Sequence, residues 1–149
     1  MICFGINPST AEPNNLDPTL TRVSKYAITN GFDSWIMLNI YPQRQTNPQD
    51  MHSQLNEEWH KENVEHISNL LAGKNYTIWA AWGENIAIRP YLMDCLKSIN
   101  EVVQSTDCRW YALGQSEKQH PFHPLYRGRG FRLYISPLLA FDIKDYTKG

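Results

Sequence analysis

The sequence predicts an α/β domain, a three-layer α/β/α sandwich around a four-stranded, mainly parallel sheet, with the whole chain, 1–149, as one unit. Three observations carry this. Four short apolar runs have the length and the β-branched or aromatic content of strands buried on both faces. Segments of helical periodicity separate them, which is what parallel pairing with right-handed crossovers requires. The runs also stop abruptly on polar or glycine residues, and in open α/β sheets ligands bind at the carboxyl ends of the strands.

The first run, Ile2 to Ile6, halts at Asn7-Pro8-Ser9-Thr10. Pro8 removes a backbone donor and drives Asn7 toward an extended conformation, which fixes the Asn7 amide at a strand end. A loop from Ala11 to Leu16 leads to Asp17-Pro18, an N-cap followed by proline at the first helical position. Leu20, Val23 and Ala27 share one face of the helix that follows, and Asn30-Gly31 ends it. Trp35 to Ile40 is the second strand, carrying the amide Asn39 near its far end; that side chain either ties down the next loop or meets a ligand. Tyr41 to Pro48, with Pro42, Arg44 and Pro48, is too punctuated for regular structure. The second helix is expected over Glu57 to Ala72, with Val64, Ile67 and Leu71 inward and Gly73 as its stop. His60 and His66 on it read as solvated. Tyr76 to Trp82 is the third strand, followed by Gly83, where backbone can come close to a ligand. The third helix is expected over Asn85 to Lys97, with Pro90 disturbing its first turns, and Cys108 to Leu113 is the fourth strand.

Charged residues make up only 19% of the chain and the net charge is −1, which argues against a strong, sequence-independent grip on nucleic acid. Charge is nevertheless segregated. Asp50 to Glu65 holds five acids and one Lys, whereas Arg109 to Tyr134 holds Arg109, Lys118, Arg127, Arg129 and Arg132 against the single acid Glu117. Cys3, Cys95 and Cys108 are widely spaced and form no C-x-x-C, so they read as free buried thiols of a reduced compartment. The chain opens without a basic leader and has no apolar stretch of bilayer length, which predicts a cytoplasmic protein without a membrane partner. No metal-ligand spacing, Walker glycine loop or Ser-His-Asp order occurs, so no metal and no cofactor is expected. Oligomeric state has no signature in the sequence.

The segment Gln119 to Phe131, Q-H-P-F-H-P-L-Y-R-G-R-G-F, lies just past the fourth strand and so shares a sheet edge with Asn7, Asn39 and Gly83. Its two His-Pro pairs hold imidazoles on a stiff loop, Leu125 and Tyr126 offer apolar surface, and Arg127 and Arg129 flank glycine. Taken in order, G-I-N-P, W-I-M-L-N, the Arg- and Pro-rich N-I-Y-P-Q-R-Q-T-N-P, A-A-W-G and H-P-L-Y-R-G-R-G-F resemble the motifs of the uracil-DNA glycosylase superfamily. More narrowly, N-P-S-T-A, D-P-T, N-I-Y-P-Q-R, A-W-G and H-P-L-Y resemble the bacterial and phage family called domain of unknown function 1643.

The superfamily resemblance implies a domain that binds a nucleobase, nucleotide or DNA at the carboxyl end of its sheet. It implies either hydrolysis of an N-glycosidic bond or, as the alternative, a non-catalytic nucleotide- or modified-nucleic-acid-binding module. In that scheme Asn7 orients water and His123 stabilises the departing base. Pro8, Ser9, Thr10, Asn39, Arg44 and Gly83 surround the base or nucleotide, and Leu125, Arg127 and Arg129 contact nucleic acid. The chain departs from the superfamily pattern where Leu125 directly follows His123-Pro124, displacing a Ser, and where Ser9-Thr10 follow Pro8. Trp35, Tyr41 and Trp82 are the aromatics available to stack on a base.

Overall fold

The computed structural model describes residues 1–8 and 17–148. Its sheet has five strands: β1 (Ile2–Gly5), β2 (Ile36–Asn39), β3 (Thr77–Ala80), β4 (Arg109–Ala112) and β5 (Leu139–Ala140), in the order β2-β1-β3-β4-β5. The first four pair in parallel, Ile2 opposite both Ile36 and Ile78, and Ile78 opposite Trp110. The expected count of four is corrected by β5, which pairs antiparallel with β4 through Ala112 and Leu139. The two residues of β5, Leu139 and Ala140, are too few to set up a periodicity that a sequence reading can detect.

Helix α1 (Pro18–Thr29) begins as expected, Asp17 accepting a 2.8 Å hydrogen bond from the Leu20 N–H. Helix α2 (Glu57–Leu71) is capped by Asn56, whose side chain accepts from the Trp59 N–H. The third helix differs from the expected Asn85 to Lys97. Gly83–Ile88 forms 3-10 turns, Pro90 lacks the donor that would join them to a longer helix, and α3 runs from Tyr91 to Gln104. A four-residue helix, α4 (Ile143–Tyr146), capped by Asp142, went unforeseen.

Strand alternation divides the interior into two cores. Ile2, Phe4, Ile78 and Ala80 point to one face and meet Ile67 and Leu71 of α2 and Leu92, Leu96 and Ile99 of α3. Cys3 and Trp79 point to the other and meet Val23 and Tyr26 of α1, together with Leu133. Helices therefore cover both faces, as two-sided apolar strands require. All three thiols are buried and free. Burial pushes the Cys95 thiol up to about 12, so it stays protonated and packs as a small apolar group. No helix among the described residues is long and apolar enough to cross a membrane.

Candidate functional site at the carboxyl end of the sheet

A cleft of about 540 Å3 opens where β1, β2 and β3 end, and Asn7, Pro8, Asn39, Arg44, Trp82 and His123 are among the residues that line it. Ser9 and Thr10 lie outside the described residues. Gly83 turns away to a second, adjoining cleft of about 420 Å3 that shares His123 with the first. Its φ of +66° and the 3.0 Å that would separate an added Cβ from the His123 Cβ restrict this position to glycine.

Asn7 is held by non-local contacts. Its Nδ2 donates to the carbonyls of Gln43 and Gln45, both at 2.9 Å, so the carboxamide orientation is fixed by acceptors that only an N–H can satisfy. The Gln45 N–H in turn donates to the Pro8 carbonyl, locking the loop after β2 against the end of β1. With Nδ2 committed, Oδ1 is the atom of Asn7 left to meet a ligand or water. Asn7→Asp would set a carboxylate against those two carbonyls, and is expected to lower stability by about 1–3 kcal/mol in urea denaturation, although it changes the shape of the side chain very little.

Asn39 behaves differently. Its backbone carbonyl accepts from Asn63 Nδ2 of α2 at 2.9 Å, so the loop is tied down by Asn63 while the Asn39 carboxamide makes no hydrogen bond among the described residues. The side chain leans over Gly5, its register partner, where an added Cβ would come within 3.2 Å of Asn39 Oδ1. An amide with an unused donor and acceptor in a cleft suits the edge of a planar heterocycle.

His123 sits on a loop pinned from several sides. The Gly83 N–H donates to the Pro121 carbonyl, the Phe122 N–H donates to the Gly114 carbonyl, and Arg22 of α1 donates to the Pro124 carbonyl at 3.1 Å. His123 Nδ1 accepts from the Leu125 N–H at 3.0 Å, which makes the ring neutral with its proton on Nε2. Burial lowers the His123 pKa, the Asp17 charge opposes this, and Arg22 adds to it.

His60 and His120 are also pushed below the ordinary histidine value by burial. His60, expected to be solvated, is in fact half-buried, and its Nδ1 has no partner among the described residues. Because these folded-state pKa values lie below the unfolded one, the unfolded chain takes up protons first on acidification. Stability is therefore expected to be full above about pH 6.5 and to fall as pH drops below it. The check is a urea midpoint series from pH 8 to 5, in which His60→Gln should flatten the slope.

Behind the cleft, Trp82 Nε1 donates to Tyr146 Oη at 3.0 Å, and that hydroxyl lies 2.8 Å from His120 Nδ1. The phenol accepts from the indole and shares a second hydrogen bond with His120, whose direction is set by the imidazole tautomer. Of the candidate stacking aromatics, Trp82 reaches the cleft, whereas Tyr41 is buried and bonded to His52 Nδ1 at 2.7 Å and Trp35 packs in the α1-side core. Leu125 lines the second cleft, and Arg127 and Arg129 are exposed and line neither cleft.

The model of a protein family described as "protein of unknown function (DUF1643)" matches residues 1–125. The chain belongs to this family. No curated protein and no solved structure gives a significant match. The DUF1643 span covers β1 to β4 and the loop as far as Leu125, and so takes in Asn7, Asn39, Arg44, Gly83 and His123, but it stops short of Arg127 and Arg129. Within that span, sequence reasoning missed Asn63, Asn85 and Arg22. Asn63 falls one turn before the buried Ile67, a polar residue on an inward stripe, and that was the available signal. Arg22 and the cleft-lining Asn85 gave none, since their partners are distant in sequence or not yet bound.

Proposed function

We propose that the cleft binds a nucleobase or nucleotide, that the domain is a uracil-DNA-glycosylase-like α/β/α sandwich, and that its chemistry is hydrolysis of an N-glycosidic bond. The observation that carries this reading is the neutral His123, whose Nδ1 is occupied by the Leu125 N–H and whose Nε2–H is its remaining donor, in the same cleft as the Asn39 carboxamide, which has no hydrogen bond among the described residues. Asn39 would read the base edge. As the C1′–N bond breaks, its electron pair leaves on the base, and the developing negative charge on the base oxygen would be met by the Nε2–H of His123. Water, oriented by Asn7 Oδ1, adds to C1′ and releases its proton to the departing base or to solvent. An amide cannot deprotonate water, so the rate would rest on leaving-group stabilisation. The test is single-turnover base release from duplexes, single strands and nucleotides carrying uracil, hypoxanthine or other altered bases.

One observation favours a second reading, a binding module without catalysis: the Nδ2 of Asn7 is already spent on the loop carbonyls, which is a structural task. Binding of one of these probes with no base released would establish it. For DNA as the partner, replacing Arg127 and Arg129 together by Ala is expected to weaken binding and flatten its log-log salt dependence by about one unit for each phosphate that is no longer neutralised. Affinity indifferent to both changes would leave a free nucleotide as the ligand.

A further inference from the structure

Beside the main cleft, the second one is built in a different chemistry. Pro121, Phe122, Leu125 and Tyr126 give it apolar walls, and Glu84 and His120 give it polar ones. Among the described residues no Arg or Lys lines it. A phosphate would meet the Glu84 carboxylate with no Arg or Lys in the described wall to offset it, which favours an uncharged planar ring as the occupant.

The platform for such a ring is already assembled. Tyr126 stacks on Phe122 at a centroid distance of 3.7 Å and an interplanar angle of 8°, with Phe131 edge-on to Tyr126 at 5.2 Å. Gly128 leaves the space that the Tyr126 ring fills, since a Cβ there would overlap the phenol. Tyr126 and Leu125 nevertheless remain 37% and 38% exposed, so two adjacent large side chains of this loop stay open to a partner. His123 is the wall common to both clefts, so a molecule that fills the first reaches the second by passing that residue.

We infer that the second cleft is a subsite for the nucleobase next to the one held in the main cleft, so that the ligand is a strand of at least two nucleotides. This inference rests on the nucleobase reading of the main cleft. Stacking on Tyr126 and contact with Leu125 supply the affinity, while the Glu84 carboxylate offers an acceptor, and the His120 ring nitrogen not bonded to Tyr146 a further polar contact, to the edge of the ring.

The test compares mononucleotides with deoxydinucleotides in calorimetry, each dinucleotide being matched by the same molecule with one base replaced by an abasic tetrahydrofuran unit. Restoring the second base is expected to tighten binding about tenfold, the scale of one base stacked on an aromatic side chain. Tyr126→Ala and, separately, the milder Tyr126→Leu should each remove most of that gain and leave mononucleotide affinity within about twofold. Mononucleotide binding with equal affinity for the base-bearing and abasic dinucleotides would overturn the subsite and leave the main cleft standing. A gain that survives both variants would also overturn it. If no mononucleotide or dinucleotide binds, the nucleobase reading of the main cleft falls and the subsite falls with it.

Discussion

His123→Ala is expected to cut single-turnover base release by about a hundredfold or more while changing ligand affinity far less. The imidazole is asked to act on charge that exists only as the base departs, so its loss should appear in the rate constant and not in the dissociation constant. The geometry refines the choice of control. His123→Gln keeps an acceptor for the Leu125 N–H and an amide donor, and should recover part of the rate, whereas alanine leaves that backbone donor without its partner. Asn7→Ala should also slow release, but it frees the carbonyls of Gln43 and Gln45, so its effect will spread to affinity and stability in a way the His123 change should not. A His123→Ala protein that releases base at the wild-type rate would remove this residue from the chemistry.

The largest stability effect outside the apolar core is expected from Arg89, which touches no candidate ligand. Its Nε donates to the His52 carbonyl and its Nη2 to those of Gln49 and Met51, at 2.9–3.1 Å, and Tyr91 Oη adds a second bond to the His52 carbonyl. One guanidinium thus holds the far end of the segment whose near end Asn7 holds. Arg89→Ala is expected to cost about 2–4 kcal/mol, read as a lower urea midpoint with an unchanged slope. Arg89→Lys should recover only part of this, because a single ammonium cannot reach three carbonyls in a planar fork. The cleft wall formed by Arg44, Gln45 and Thr46 lies on that segment, so weaker ligand binding should accompany the drop in stability.

What the sequence made legible follows from how local each cause is. The Asp17-Pro18 start of α1 is written in two adjacent residues, and the strand at Ile2 in four consecutive residues, so both were readable. The arrival of Asn7, Asn39 and His123 at one cleft could be expected because parallel order puts all strand ends on one edge. The job Asn7 performs could not, because Gln43 and Gln45 become its acceptors only when the loop after β2 folds back. The displaced third helix shows the same limit. Its periodicity continues on both sides of Pro90, and only the packing of Leu92, Leu96 and Ile99 on the sheet decides that the long helix lies after the proline.

The place of β1 in the sheet has a consequence for how the chain acquires its structure. β1 precedes both of its neighbours in sequence yet lies between them, with Ile2 opposite Ile36 on one side and Ile78 on the other. During synthesis it can pair with β2 early, but its second edge stays open until β3 emerges, and that pairing closes a long loop before packing can offset the entropy of closure. Until then an apolar strand presents free backbone donors and acceptors to the crowded surroundings of the ribosome. Nascent chains cut short before Thr77 should therefore be the ones that recruit holdase chaperones and aggregate.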